Sequence, residues 1–373
     1  MFIPAYASRP TADHTAREAN SPSSIVSAAK AAGRALGDAI QSWSCRSMNL
    51  DSVRVSSKNQ EPPRVGDVAL VEVDSISNHT RIVTSANERR RLYPGDRLIG
   101  VFGNRYATDA FEGKLTPCGA LSILTNAGLL GTVVSQNKNI KSPSRVRMSG
   151  YLCDAAGDRI NLKSLLFQPS IPECSEPQVV LVVGTGMNSG KTTTAVRLVR
   201  ELVCRQHRVA ACKVTGSVSH RDLFEFRSAS PELANDFSDY GFPSTYLCNP
   251  DELGSLFHSM VADAQQVDPD VIVMEVADGV LQRETAMLLH DPAIAAHVAG
   301  VVLTAPCALS AIEGVRQIES AGHSVLAVSG IITNAPLFVR EFRSQIDIPV
   351  CRVAGGTDCL TDVLTNHLAR IGK

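Results

Sequence analysis

The ten cysteines, Cys45, Cys118, Cys153, Cys174, Cys204, Cys212, Cys248, Cys307, Cys351 and Cys359, include no CxxC pair. That absence excludes a readable zinc knuckle or dithiol redox motif and leaves free thiols in a reducing cytosol as the expectation. No stretch approaches the roughly 18 to 20 consecutive apolar residues that span a bilayer, so no membrane association is expected. An excess of either charge is lacking too: 36 basic against 37 acidic side chains leave a formal net charge of -1. No global field therefore favours nucleic acid or an anionic membrane, and such a partner would need a local patch. The Ala-, Ser- and Arg-rich start has no signal-peptide apolar core, and Asp13, Glu18 and Asp38 argue against a transit peptide, which leaves a cytoplasmic setting.

What is present is a chain of 373 residues with 44% hydrophobic content, enough for two domains with separate cores. Residues 1–60 read as a poorly ordered leader, with a possible helix after Ser21-Pro22 that places Ile25, Val26, Ala29, Leu36 and Ile40 on one stripe; Met48 offers a second start. Residues 61–168 form a β-rich domain. Val68–Val73, Thr80–Val83, Arg97–Phe102 and Ser149–Leu152 are runs of β-formers, punctuated by turns at Val65-Gly66-Asp67, Pro94-Gly95-Asp96 and Ala156-Gly157-Asp158. A small barrel or sandwich follows, with a helix interrupting near Cys118 to Leu130.

Pro169, Pro172 and Pro177 mark residues 169–178 as a linker. Beyond it the texture changes. Val179–Val183, Val209–Lys213, Val271–Glu275 and Val298–Leu303 are almost wholly apolar strands; Ser324–Ile332 and Ile348–Val353 continue the series, and Lys191–Gln206 reads as a helix. Strands apolar on both faces that alternate with helices predict an α/β domain over 179–373, doubly wound on a mostly parallel sheet.

Gly184-Thr185-Gly186-Met187-Asn188-Ser189-Gly190-Lys191-Thr192-Thr193 joins the first of these strands to that helix. This is the context of a phosphate-binding loop: backbone N–H groups wrap a β-phosphate, Lys191 adds charge toward the β- and γ-phosphates, and the Thr192 hydroxyl can ligate magnesium. The usual spacing is changed, because Thr185 occupies the leading position and the glycine sits one residue earlier at Gly184.

The G-T-x-x-x-x-G-K-T spacing resembles dethiobiotin synthetase and its relatives among the P-loop proteins; pairing it with an extra domain is similar to some bacterial P-loop proteins of unassigned function. The resemblance covers roughly Val179 to Val353. It implies that Lys213, in the segment Ala210 to Ser217, contacts phosphate and a carboxylated substrate, with Thr215 and Ser217 as candidate substrate contacts. It further implies that Asp222 and Glu275 bind magnesium with Thr192, and that Asn334, in Ser329 to Pro336, reads the adenine edge of ATP. Asp278 departs from the family, which has a glycine there, and joins Arg283 as a candidate substrate contact. No N-K-x-D guanine motif is found, which favours ATP over GTP.

Three further segments carry alternatives. Asp236 to Thr245 reads as a substrate-contacting loop or as a cap and turn, and the polar turn Gly103 to Asp109 as a hairpin or as a contact to ligand or the other domain. Arg89-Arg90-Arg91 with Lys138, Lys141, Arg145 and Arg147 supplies local positive charge, but poor aromatic interleaving speaks against nucleic acid. The expected function is an ATP- and magnesium-dependent ligase or phosphotransferase that activates a carboxylate or carbamate of a small molecule, with Lys191 and Lys213 as catalytic residues. The alternative is a nucleotide-driven switch or metallochaperone-like NTPase, working as a homodimer; Thr185, Gly186 and Met187 stand where such switches carry a signature lysine.

Overall fold

The computed structural model describes residues 36–56, 61–116, 119–173, 178–352 and 360–371. The helix expected around Ile25 to Ala29, and Cys118 and Pro177, lie outside them.

The first unit is β-rich. Its strands are β1 (Ile40–Gln41), β2 (Arg54–Ser56), β3 (Val68–Ser75), β4 (Arg81–Val83), β5 (Arg89–Arg91), β6 (Arg97–Phe102), β7 (Phe111–Lys114), β8 (Leu121–Ile123), β9 (Leu129–Gln136) and β10 (Arg145–Cys153). β4 and β5 pair as a separate two-stranded ribbon. The other eight strands form one mixed sheet, in which pairings run β6–β3–β10–β8–β9 and return from β9 to β6. The β1–β6 and β6–β9 pairs are parallel and the remainder antiparallel.

Two expectations differ here. Residues 36–56 do not behave as a leader: Leu36, Ile40, Trp43, Cys45, Met48 and Val53 are buried, and β1 and β2 join the sheet. Instead of a helix near 118–130, β8 and β9 form a hairpin. The reason lies at Gly128, which has φ +94° and lies so close to the Ser42 side chain that any Cβ would collide. A right-handed helix does not admit that dihedral.

After the short helix α1 (Leu162–Leu166), capped by the Asn161 side chain, the chain runs along the second unit. Backbone N–H groups of Ser170 and Glu173 donate to Ser259 and Gln265 there.

The second unit alternates strands and helices: β11 (Val179–Gly184), α2 (Lys191–Cys204), β12 (Val209–Lys213), α3 (His220–Ser228), β13 (Leu233–Asp236), α4 (Pro250–Gln265), β14 (Val271–Glu275), α5 (Arg283–His290), α6 (Pro292–Ala295), β15 (Val298–Thr304), α7 (Ala308–Ser320), β16 (Val325–Ser329), α8 (Pro336–Arg343) and α9 (Leu360–Ile371). The six-stranded sheet has the order β13-β12-β14-β11-β15-β16, and every pairing is parallel. Odd and even positions of β11 enter different cores: Val179, Leu181 and Val183 pack with α4, α5 and α7, whereas Val180 and Val182 pack with α2 and α9. That is why these strands read as unbroken apolar runs.

The last expected strand, Ile348–Val353, is absent as such within its described residues. Val350 makes a single parallel bridge to Val328, because Pro349 accepts from Val328 but has no N–H with which to extend the ladder. Ser324–Ile332 is strand only over β16; Gly330, at φ +85°, turns the chain into a 3-10 turn at Ile331–Asn334.

The two units share a core. Val218 and Leu223, at the entry and in the first turns of α3, are buried in one cluster with Trp43, Met48, Val68, Ile99 and Leu129. Polar contacts reinforce the join: Arg46 donates to Ser238 (3.1 Å) and Asp239 (2.5 Å), and the Tyr246 hydroxyl donates to Glu112 (2.8 Å).

Candidate functional site

The apolar strand β11 ends at Gly184, and the next six residues coil before α2 begins at Lys191. Asn188 (φ +59°) and Gly190 (φ +102°) supply left-handed turns that bend the chain around a concavity. Beneath it, Ser189 and Thr304 hydroxyls are 2.8 Å apart, which ties the loop to the end of β15. Gly279 closes the other side: a Cβ there would meet the Thr185 carbonyl oxygen at 2.7 Å and Gly186 Cα at 2.9 Å. The N–H groups opening α2 have no intrahelical acceptor, so the loop offers them to an anion.

Lys191 is buried, and its Nζ donates to the carbonyls of Gly186 (2.8 Å) and Asp278 (2.6 Å). Burial pulls its pKa down to about 8, against the opposing pull of Glu275 and Asp278. Lys213 and Glu275 are register partners at the ends of adjacent strands β12 and β14, which brings two buried charges together. Lys213 Nζ lies 3.1 Å from Glu275 Oε1 and 2.7 Å from Asp222 Oδ2 on the first turn of α3. Burial alone would depress this lysine, but Glu275 and Asp222 hold it above the ordinary lysine range.

Thr192 donates its hydroxyl to the same Glu275 Oε1 at 3.0 Å. Glu275 Oε2 is buried without a hydrogen-bond partner. An unpaired carboxylate oxygen inside a protein is costly, so the atom marks a place for a further donor or cation. Among the described residues no cluster of three or more acidic, histidine or cysteine side chains could hold a metal by itself. The donor set of one hydroxyl and one or two carboxylates instead fits a small hard cation whose remaining ligands are phosphate and water, as magnesium requires.

The structure thus gathers Lys191, Thr192, Lys213, Asp222 and Glu275 around one cleft of about 720 Å³, together with Met187, Asn188, Gly190 and Thr193 of the loop. Ser217 and Asp278 line it too. Asp278 has φ +62°, and burial lifts its carboxyl to about 6, with Lys191 and Lys213 opposing the rise.

Other expected residues are placed elsewhere. The Thr215 hydroxyl accepts from the Ala277 N–H at 2.7 Å and braces two loops from behind. Arg283 lies outside the cleft lining, donating to the Cys248 carbonyl (2.9 Å) and Glu284 (2.5 Å). Asn334 is exposed and also outside the lining. Asp236 to Thr245 forms a cap and turn: Asp236 and Asp239 make a reciprocal capping box on the 3-10 turn Phe237–Tyr240.

One wall was legible in the sequence only as an alternative reading of the Gly103 to Asp109 turn. His79, Arg105, Tyr106 and Asn126 of the β-rich unit line the same cleft. The polar turn Gly103 to Asp109 touches the phosphate loop, with the Asn188 side chain donating to Asp109 (2.9 Å) and the Thr108 N–H directed at Met187 Sδ (3.2 Å). Burial, assisted by the charge of Arg105, pushes His79 down to about 4, and burial brings Arg105 itself to about 10. The polar character of the turn was its one visible signal; His79 and Asn126 had none.

No protein-family model and no curated protein matches this chain. Among solved structures it is similar to the signal recognition particle receptor FtsY from Elizabethkingia anophelis, with 19% identity, 56% of this chain and 70% of that one covered, and a TM-score of 0.35. It is also similar to chloroplast FtsY from Physcomitrella patens (15% identity, 56% and 70% covered, TM-score 0.36) and to the kinase domain of the Escherichia coli tyrosine kinase ETK (14% identity, 42% and 69% covered, TM-score 0.31).

Proposed function

We propose that this chain is an ATP- and magnesium-dependent ligase or phosphotransferase that activates a carboxylate or carbamate of a small molecule, in the manner of dethiobiotin synthetase. The observation that carries the reading is the convergence of Thr192 and Lys213 on Glu275, with Asp222 bound to the same lysine, beside the loop that holds Lys191. Thr192, Glu275 and Asp222 would hold the magnesium ion, which when bound neutralises charge on the β- and γ-phosphates.

The chain's own residues do the rest. Loop amides and Lys191 fix the triphosphate, with the ammonium exchanging two carbonyl acceptors for phosphate oxygens. The acceptor's oxygen attacks the γ-phosphorus in line as its bond to the bridging oxygen breaks and ADP departs; a nucleophile then adds to the acyl carbon of the acyl phosphate and inorganic phosphate leaves. Such chemistry needs positioning and charge neutralisation more than a reactive side chain. A cytoplasmic setting suits it.

A second reading, a nucleotide-driven switch acting as a homodimer, is favoured by one feature. Ile331, Leu309 and Leu337 are exposed (42%, 78% and 61%) on the 3-10 turn and on the first turns of α7 and α8, and Ile331 borders the cleft. ADP release measured across small carboxylates and amines separates the two. The ligase reading expects release that requires an acceptor; slow basal release that rises with protein concentration and ignores every acceptor would replace it with the switch.

A further inference from the structure

Four cationic side chains line the cleft among the described residues: Lys191, Lys213, Arg105 and Arg221. Lys213 is paired with Asp222 and Glu275, and Arg221 with Glu225 at 2.7 Å. Lys191 sits on the phosphate loop and donates to its carbonyls. Arg105 stands on the opposite wall. Its Nη1 donates to the Leu124 carbonyl, its guanidinium carbon lies 5.6 Å from the Phe111 ring centroid, and no carboxylate is within ion-pair distance among the described residues.

A guanidinium withdrawn from water is costly, and Asp109 and Asp278 offset its charge only from beyond ion-pair distance, while the backbone that carries it is fixed. Arg105 and Gly113 exchange both backbone hydrogen bonds (2.8 and 2.9 Å), which anchors the residue to β7. Beside it His79 has a buried Nδ1 with no partner, in a ring that stays neutral and so adds no competing charge. A partnerless His79 Nδ1 and a guanidinium with no carboxylate in ion-pair reach therefore share one wall of the cleft. The triphosphate is already served by loop amides, Lys191 and α2, all from the other unit.

The geometry points to Arg105 as the docking point for an oxyanion group, carboxylate or phosphate, on the second substrate, which makes the β-rich unit the acceptor-binding half of the site. The inference rests on the nucleotide reading of the phosphate loop. A guanidinium fork suits either anion, because it can donate two parallel N–H bonds to a pair of oxygens.

The test uses the full chain with ADP and magnesium, adding in turn acetate, succinate, glutarate and inorganic phosphate, and reads the melting temperature. At least one anion raises it by several degrees in the wild type and leaves Arg105→Met unmoved, while ADP affinity in that variant stays within about threefold. Whether the effective anion is a carboxylate or phosphate identifies the source. Should Arg105→Met not fold, Arg105→Lys serves: it keeps the charge, loses the fork and gives a smaller rise. The inference is overturned by no anion effect in the wild type, by an equal rise in the variants, or by a loss of about tenfold or more in ADP affinity with Arg105→Met. A wild-type chain that takes the anion through Arg105 yet binds no ADP would remove the nucleotide reading and leave this subsite standing.

Discussion

Asp278 shows how a single residue records the demands of the cleft. It carries a left-handed backbone, presents its carbonyl to Lys191, and keeps its carboxyl in the cleft wall. Because burial raises its folded-state pKa to about 6, from an ordinary 3.8, the charged form is disfavoured in the fold. The sign follows: this carboxyl lowers stability above about pH 6, and the penalty disappears as pH falls through the window from 6 to 4. Asp278→Asn is expected to raise the unfolding free energy at pH 8 by about 1–2 kcal/mol, discounted for partial exposure, and by nothing near pH 4. Denaturant titrations of both proteins at the two pH values check this. The comparison must be between variant and wild type, because His79 works in the opposite direction: with its pKa pushed down to about 4, it loses stability as pH falls below 6.5.

Among elements, the strand ends decide what was legible. The phosphate loop could be read directly, since its chemistry lies in ten consecutive residues between an apolar run and a helix. Lys213 and Glu275 were singled out through the resemblance, Glu275 also because it closes an apolar run, and parallel register sets the two strand ends side by side. Asn334 was expected from the resemblance of its segment, and Arg283 from its nearness in sequence to Asp278. Local geometry then placed them elsewhere, through the turn at Gly330 and the tie from Arg283 to the Cys248 carbonyl. The loop after β14 is the element that shapes the cradle, because Gly279 has room for hydrogen only. Gly279→Ala should therefore push the Thr185–Gly186 backbone outward and cost about tenfold or more in ADP affinity, with little change in melting temperature. Calorimetric titration with ADP measures the first and a thermal scan the second. Unchanged affinity would mean that the loop adapts.

On the scale of the whole molecule, the cleft has walls from two units whose contacts are distant in sequence. That distance is why His79 gave no sequence signal and why the polar Gly103–Asp109 turn, with Arg105, was legible only as one of two alternatives: nothing local tells that it meets the Gly184–Thr193 loop. The shared core makes the same point energetically. Leu223 belongs to the second unit yet is buried against residues of the first, and the ring of Phe224 lies 6.2 Å from the ring of Trp43, the chain's single tryptophan. Leu223→Ala is expected to cost about 3 kcal/mol and to shift Trp43 fluorescence and far-UV circular dichroism together. Separate transitions by the two probes would mean that the units unfold independently.

All of the chemistry proposed for this chain depends on the Gly184–Thr193 loop holding a nucleotide through Lys191. Isothermal titration of ATP and magnesium into the wild type and Lys191→Ala tests it most directly, with ATP replaced by a non-hydrolysable analogue where turnover intervenes. One site per chain is expected in the wild type, and a loss of about a hundredfold or more in affinity in a variant that remains folded. Equal affinity in both proteins, or none in the wild type, would contradict it.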